Sequence, residues 1–113
     1  MYLIGYDCGT SSIKASLIES QTGKVVASAT SPQKEMEMIA TQSGWAEQSP
    51  QLWWNNLRIA TQQILTESNI NRADIKAIGI SYQMHGLVLV DKDKNVLRPA
   101  IIWCDSRAVE IGD

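Results

Sequence analysis

The sequence contains no apolar run that approaches the roughly 20 residues of a membrane-spanning helix. Its N-terminus also lacks the basic start of a signal peptide, and an acidic residue follows early, at Asp7. Excess positive charge is missing as well: the formal net charge is −2, whereas nucleic-acid-binding proteins usually carry a basic face. We therefore expect a cytoplasmic protein without a nucleic-acid or membrane partner.

Cysteine and histidine are scarce. The chain has only Cys8 and Cys104, no Cys-x-x-Cys motif, and His85 as its single histidine. A zinc site needs several such ligands, so this chemistry is not expected. In a cytoplasmic chain the two cysteines should be reduced, buried thiols, and for Cys8 we favour a packing role over a reactive one.

Two common nucleotide-binding motifs are absent, the pattern G-x-x-x-x-G-K-[ST] and the pattern G-x-G-x-x-G. A P-loop is therefore excluded. The 113 residues, of which 44% are hydrophobic, are enough for a core, so the chain is one domain or part of one. The sequence contains no internal repeat and no low-complexity segment.

The stretch from Ile4 to Lys14 is the most informative part of the chain. Its pattern predicts a buried strand, a glycine-containing polar turn and a second strand. Clustered N–H groups and hydroxyls form an anion-binding concavity, so the turn suits a phosphate, with Lys14 as an added charge. Asp7, when ionised, suits a hydrated Mg²⁺. The alternative is an ordinary turn, because Asp and Gly also favour turns for local reasons. The turn residues are Gly9, Thr10, Ser11 and Ser12.

The remaining pattern predicts an α/β protein with a mixed sheet covered by helices. Residues 31–48 lack periodicity and are expected to form a loop. Serine followed by proline is typical of a helix start, so a helix should begin at Ser49-Pro50 and reach about Ser68, with Trp53 and Trp54 as core anchors. A second helix is expected after Arg107. Strands are expected at residues 2–7, 13–19, 24–30, 76–81, 87–90 and 100–103.

A first polar cluster, Gln83-Met84-His85-Gly86, interrupts the apolar pattern after a predicted strand. Ligand sites of α/β sheets usually lie beyond strand ends. Amide and imidazole groups can both donate and accept hydrogen bonds, which suits the hydroxyls of a polyol. The alternative for the single histidine is a structural role.

A second polar cluster, Cys104 to Arg107, follows the last predicted strand. Asp105 and Arg107 can hold sugar hydroxyls, or they can form an ion pair with each other. Trp45, at the end of the long loop, can pack on the domain or form the wall of a pocket, and packing is slightly favoured.

In these motifs the chain resembles the N-terminal part of the FGGY carbohydrate kinases, and within them the xylulokinases in particular. The similarity covers essentially the whole chain in register. The Asp-x-Gly-Thr-Ser-Ser turn is shared with the broader actin-like superfamily, whereas Gln-Met-His-Gly and the Trp-x-Asp-x-Arg end are more specific. Tyr82 and Ser106 differ from residues that are common in the family. The matching stretches are Gly5 to Lys14, Trp45 to Pro50 with Trp53-Trp54, Gly79 to Gly86, and Val96 to Arg107.

The resemblance implies a ribonuclease H-like (actin-like) fold, with residues 1–113 as the N-terminal portion of the first domain of a two-domain kinase. It implies ATP-dependent phosphorylation of a ketopentose, D-xylulose first, in a cleft that closes between the two domains. The alternatives are another kinase of the family, with gluconate, ribulose or glycerol as substrate, and a non-catalytic actin-like nucleotide-binding module.

The resemblance also implies roles for individual residues. Gly9, Thr10, Ser11, Ser12 and Lys14 would line the ATP phosphates. Asp7 would lie near Mg²⁺. Gln83, Met84 and His85, together with Asp105 and Arg107, would contact the sugar. The general base is an aspartate expected beyond residue 113, so residues 1–113 alone should be inactive, and a homodimer is compatible with the family.

Overall fold

The computed structural model of the chain describes residues 1–112. It divides into two compact units, the first formed by residues 1–36 and 53–82 and the second by residues 37–52 and 83–112. The elements are the strands β1 (Tyr2–Cys8), β2 (Ile13–Glu19), β3 (Val25–Ser31), β4 (Glu47–Gln48), β5 (Ile75–Tyr82) and β6 (Ala100–Ile101), the helices α1 (Pro50–Ser68) and α2 (Val109–Gly112), and a short 3₁₀ helix at Arg72–Asp74.

The first unit contains a four-stranded mixed sheet in the order β3-β2-β1-β5. Strands β1, β2 and β3 form an antiparallel meander, and β5 runs parallel to β1 after the crossover through α1. Gly23 closes the β2–β3 turn with a φ of 72°, a left-handed conformation that glycine adopts without steric cost. The mixed α/β class and the first four predicted strands are confirmed.

The core of the first unit lies between α1 and one face of this sheet. Ile4 and Leu17 point to the helix from neighbouring strands, and Ala60 and Ile64 meet them from α1, one helical turn apart. The helix bounds agree with the prediction. Trp54, however, is 57% exposed, so its prediction as a core anchor is wrong. The buried stripe of the helix runs instead through Asn56, Ala60 and Ile64, at intervals of four residues.

Two polar contacts cross this core. The side chain of Ser31 donates to Oδ1 of the buried Asn56 at 2.7 Å. The hydroxyls of Tyr6 and Thr61 lie 2.6 Å apart, and Thr61 Oγ1 itself donates to the Leu57 carbonyl at 2.7 Å. Because a hydroxyl has one proton, Tyr6 must be the donor to Thr61. These bonds satisfy polar groups that would otherwise destabilise the fold.

The second unit is built on the short antiparallel pair β4–β6, in which Glu47 faces Ile101 and Gln48 faces Ala100. Strand β4 lies at the end of the stretch predicted as a loop, which is thus more ordered than expected. The predicted strand at residues 87–90 is wrong. Only two isolated bridges are formed there, from Leu87 to Ile101 and from Val90 to Val96.

Among residues 1–112, no helix is long and apolar enough to cross a membrane. The longest helix, α1, carries polar side chains along its exposed face.

Candidate functional site

The predicted phosphate turn is the hairpin that joins β1 to β2. The strand pairing ends at Cys8 and Ile13, and the N–H of Gly9 donates to the carbonyl of Ser12 at 3.1 Å. A Cβ at Gly9 would lie 3.3 Å from that same carbonyl, so a larger residue would require this carbonyl to shift by a few tenths of an ångström. The carbonyl of Ser11 accepts the N–H of the buried Met36 at 2.8 Å, which fastens the turn to the loop after β3.

A polar row crosses the sheet directly below this turn. Asp7 pairs with Lys14 in the antiparallel register and with Ser81 in the parallel register. Lys14 in turn pairs with Thr30 of β3. Because side chains of paired positions share a face, these four residues lie side by side on the face opposite to α1. Asp7 and Lys14 are both exposed. The structure thus brings together all the residues predicted for phosphate and metal.

The turn does not activate its cysteine. Burial raises the pKa of the Cys8 thiol, and the charge of Asp7 raises it further. A thiol with a raised pKa stays protonated at neutral pH and is a poor nucleophile. Its half-buried side chain packs against the sheet core, as the packing interpretation predicts. Cys104, in contrast, is exposed, so its predicted burial is wrong, and both cysteines are free thiols.

The predicted polyol residues line a cavity in the second unit. Gln83, Met84, His85 and Trp103 line a shallow space of about 290 Å³ that is open to the surface and has an apolar lining. His85 has a φ of 61°, a left-handed conformation that is uncommon for a residue with a side chain. Such backbone strain persists only where the surroundings enforce it, and it is most frequent at functional sites. Lys94, in an exposed turn, has a similar φ of 66°, so this conformation leaves both the functional and the structural alternative for His85 open.

Two residues of this region were not predicted from sequence. Trp103 forms a wall of the cavity with its side chain 58% exposed. Its signal was its position between an apolar run and a polar cluster. Gln48 is fully buried, accepts a hydrogen bond from the Gln83 amide at 3.5 Å and donates to the Glu37 carbonyl at 3.4 Å. A buried amide that joins two loops has no signature in the sequence.

Asp105 and Arg107 form an ion pair with each other, which is one of the two alternatives open from sequence. Arg107 Nη2 and Nε lie 2.7 and 3.0 Å from Asp105 Oδ2. The second partner of Arg107 is the buried Glu47, whose Oε2 lies 2.8 Å from Nη2. Glu47 also accepts a hydrogen bond from Arg98. Two carboxylates and two guanidinium groups therefore balance their charges within one cluster, which we call the Glu47 cluster.

The Glu47 cluster holds two chain segments together. The N–H of Ala46 donates to Asp105 Oδ2 at 2.6 Å, and the N–H of Arg107 donates to Asp105 Oδ1 at 2.9 Å. The hydrogen bonds from Arg107, aided by these N–H groups, hold the pKa of Asp105 well below its usual range. The guanidinium of Arg107 also lies over the ring of Trp45, 3.7 Å from its centroid. This contact confirms the packing interpretation of Trp45.

No group of three or more histidine, cysteine or acidic side chains among residues 1–112 is arranged to hold a metal ion. The predicted Mg²⁺ site rests on a single carboxylate. Asp7 is exposed, which fits one ligand of a cation that keeps several of its waters.

Comparison with known proteins supports the resemblance. Residues 2–113 match the N-terminal domain of the FGGY family of carbohydrate kinases. The chain is 42% identical to the xylulose kinase of Bacillus subtilis over 106 residues, and 36% identical over 113 residues to the glycerol kinase of Paenarthrobacter aurescens. These alignments cover 94% and 99% of the chain but only 20% and 22% of the relatives, so the chain spans about a fifth of their length.

A solved structure agrees with these relatives. The crystal structure of a protein from Brucella ovis, described as a xyloylose kinase, superposes with a TM-score of 0.87 at 35% identity. It covers 98% of this chain, which in turn covers 23% of that protein. The predicted ribonuclease H-like (actin-like) fold is thereby confirmed. By family match, sequence identity and fold, the chain belongs to the FGGY family of carbohydrate kinases.

Proposed function

We propose that the protein containing this chain transfers the γ-phosphoryl group of ATP to a ketopentose, with D-xylulose as the preferred sugar. The observation that carries the proposal is the cavity lined by Gln83, Met84, His85 and Trp103, because it places the residues predicted as polyol ligands beside an aromatic ring. A sugar presents hydroxyls at its edges and C–H groups on its faces, so such a lining fits it. The identity to xylulose kinases favours this sugar over gluconate, ribulose or glycerol.

In this proposal the β1–β2 turn binds the phosphates of ATP. The N–H groups and hydroxyls of Thr10, Ser11 and Ser12 donate to phosphate oxygens, and Gly9 keeps the turn narrow enough for them to converge. Lys14 adds a positive charge from the adjacent strand position. Phosphoryl transfer depends mainly on positioning and charge stabilisation, so these roles need no covalent chemistry by the protein.

Asp7 is the proposed contact to Mg²⁺. Bound to the phosphates, the cation would neutralise charge on the transferred group. Asp7 would hold one of its waters or bind it directly.

Met84 and His85 are the proposed direct contacts to the sugar, with Gln83 beside them. Asp105 and Arg107 were predicted either to contact the sugar or to form an ion pair, and we propose that they support the sugar site rather than contact the sugar. Their mutual ion pair and their contacts to Glu47 and Ala46 favour a supporting role. The sugar is the only proposed small-molecule partner besides ATP and Mg²⁺, and neither nucleic acid nor membrane is proposed.

The domain arrangement is part of the proposal. Residues 1–113 form the N-terminal portion of the first kinase domain, and the general base and the second domain lie beyond residue 113. The isolated chain should therefore be unable to phosphorylate sugar. Sugar-dependent ADP formation by purified residues 1–113 would contradict this.

The test of the function uses the full-length protein and a panel of D-xylulose, D-ribulose, gluconate and glycerol, with ADP formation as the readout. We expect the highest kcat/KM with D-xylulose. Faster turnover of another sugar would overturn the substrate while leaving the kinase class intact. ATP binding without turnover of any sugar would favour the competing class, a non-catalytic actin-like nucleotide-binding module.

A further inference from the structure

The Glu47 cluster lies next to the cavity in the chain, since Trp103 is followed two residues later by Asp105. The turn from Ile102 to Arg107 carries both the cavity wall and the cluster. Its backbone is fixed at three points: Asp105 N–H donates to the Ile102 carbonyl at 3.0 Å, Ser106 N–H donates to the Gly44 carbonyl at 2.7 Å, and Ile102 N–H donates to the Ala46 carbonyl at 3.1 Å. The position of Trp103 therefore depends on how firmly residues 44–48 hold this turn.

Glu47 links residues 44–48 to this turn, because its carboxylate accepts hydrogen bonds from both Arg107 and Arg98. Its side chain is 8% exposed, whereas those of Arg107 and Arg98 are 18% and 37% exposed. A buried carboxylate is stable only when it is paired, and here two guanidinium groups share it. Removing its charge would leave two arginines beside a single remaining carboxylate, that of Asp105. The positive charge of the two arginines would then exceed the remaining negative charge, at a buried position where water screens charges poorly.

We propose that Glu47 is a positioning residue of the sugar site: it holds Arg107 and Asp105, which in turn fix the turn that presents Trp103 to the cavity. The proposal rests on the proposed function for its effect on sugar affinity. In this proposal Glu47 acts through Arg107 and Asp105, without contacting the sugar or ATP itself. Its neighbour in β4, Gln48, reaches the other side of the cavity through Gln83, so the two-residue strand supports two of the walls.

The test compares Glu47→Gln with the wild type in the full-length protein. Glutamine has nearly the same shape and removes only the charge. Glu110→Gln is the matched control, because Glu110 is an exposed residue of the same unit and undergoes the same change of charge. Glu47→Asp keeps the charge but shortens its reach, and it serves as the second variant if Glu47→Gln does not fold.

Two measurements follow. The first is the amide hydrogen exchange of residues 105–107, which does not depend on catalysis. We expect faster exchange at these amides in Glu47→Gln and unchanged exchange in Glu110→Gln. The second is steady-state kinetics: the KM for sugar should rise roughly three- to tenfold, as for the loss of a hydrogen bond, while the KM for ATP stays within about twofold. For Glu47→Asp, both the exchange rates and the KM for sugar should lie between those of the wild type and those of Glu47→Gln.

The outcomes separate the two proposals. If the wild type phosphorylates no sugar, the proposed function fails, and the exchange experiment still decides whether Glu47 positions the turn. If the wild type is active and Glu47→Gln exchanges as the wild type does, Glu47 does not position the turn. Faster exchange with an unchanged KM for sugar, or equal increases in both KM values, would overturn its role in sugar affinity.

Discussion

The guanidinium of Arg107 lies over the ring of Trp45, 3.7 Å from its centroid, while its edge donates to Asp105 and Glu47. One side chain thus joins an aromatic face to two carboxylates. A planar guanidinium can do both at once, whereas a lysine ammonium is a single point charge. The arrangement favours arginine at this position over positive charge alone.

We predict that Arg107→Lys lowers the Tm of the full-length protein by several degrees although the charge is kept. The substitution removes the hydrogen bonds in which Nε and Nη2 act together and the stacking on Trp45. Differential scanning fluorimetry measures the effect. Lys94→Arg, at an exposed turn of the same unit, is the control. A Tm equal to that of the wild type would show that charge alone is sufficient at position 107.

Gly44 is a second position where the structure disfavours most substitutions. Its φ is 80°, and a Cβ there would lie 2.6 Å from Ser106 Oγ. Gly44→Ala should cost about 1–3 kcal/mol, from the left-handed backbone and the steric contact together. The double variant Gly44→Ala/Ser106→Ala removes the contact but not the backbone strain, and it is compared with Ser106→Ala alone, because Ser106 Oγ also donates to the Gly44 carbonyl at 3.1 Å. It should recover part of the loss of Tm, and full recovery would show that backbone strain contributes nothing.

The ion pair predicts a dependence of stability on pH. Arg107 holds the pKa of Asp105 below its value in the unfolded chain, which is about 3.9, so the folded state binds fewer protons. The stabilisation is complete above that value and is lost as the pH falls below about 4 toward the folded pKa. The difference in Tm between the wild type and Asp105→Asn should therefore shrink between pH 7 and pH 3. A constant difference would contradict the pair's contribution.

The first unit was largely predictable because its signals are local. The alternation in β1 and β2 and the spacing of Ala60 and Ile64 follow from side-chain geometry within each element. The apolar run at residues 87–90 shows the limit of such local signals. An apolar run does not form a strand unless another segment lies alongside it for pairing, and here only isolated bridges are formed. Trp54 shows the same limit for a helix, where a broad apolar stripe exceeds the face that is buried.

The polar contacts of the second unit were the least predictable. Glu47 and Arg107 are 60 residues apart in the chain, and no spacing rule connects them. The candidate ligands themselves were accessible from sequence because each set lies in one short stretch. Their support was not, because it comes from distant segments that meet only in the folded chain.

Asp7→Ala should lower kcat by roughly 10²–10³-fold with little change in the KM for sugar. The carboxylate lies in the polar row beside Lys14, below the phosphate turn, and it is proposed to act through the metal on charge that develops during transfer. Asp7→Asn keeps the size of the side chain and removes its charge, so its kcat should be nearly as low as that of Asp7→Ala. The measurement is steady-state kinetics of the full-length protein at saturating Mg²⁺. If only the KM for sugar rose, Asp7 would act on the sugar and not on the metal and phosphates as proposed.

His85→Ala should instead raise the KM for sugar several-fold to about tenfold, with a small change in kcat. A hydrogen bond to a neutral hydroxyl is made alike in the ground state and the transition state and contributes about 0.5–1.5 kcal/mol. The φ of 61° complicates this substitution, because alanine tolerates the left-handed conformation poorly. His85→Asn is therefore the control, since asparagine accepts that backbone and keeps a polar group. If the KM for sugar of His85→Asn is close to that of the wild type, the higher KM of His85→Ala comes from the lost hydrogen bond, from the backbone conformation, or from both. Varying ATP and sugar separately completes the test, because an effect on the KM for ATP alone would assign His85 to the nucleotide.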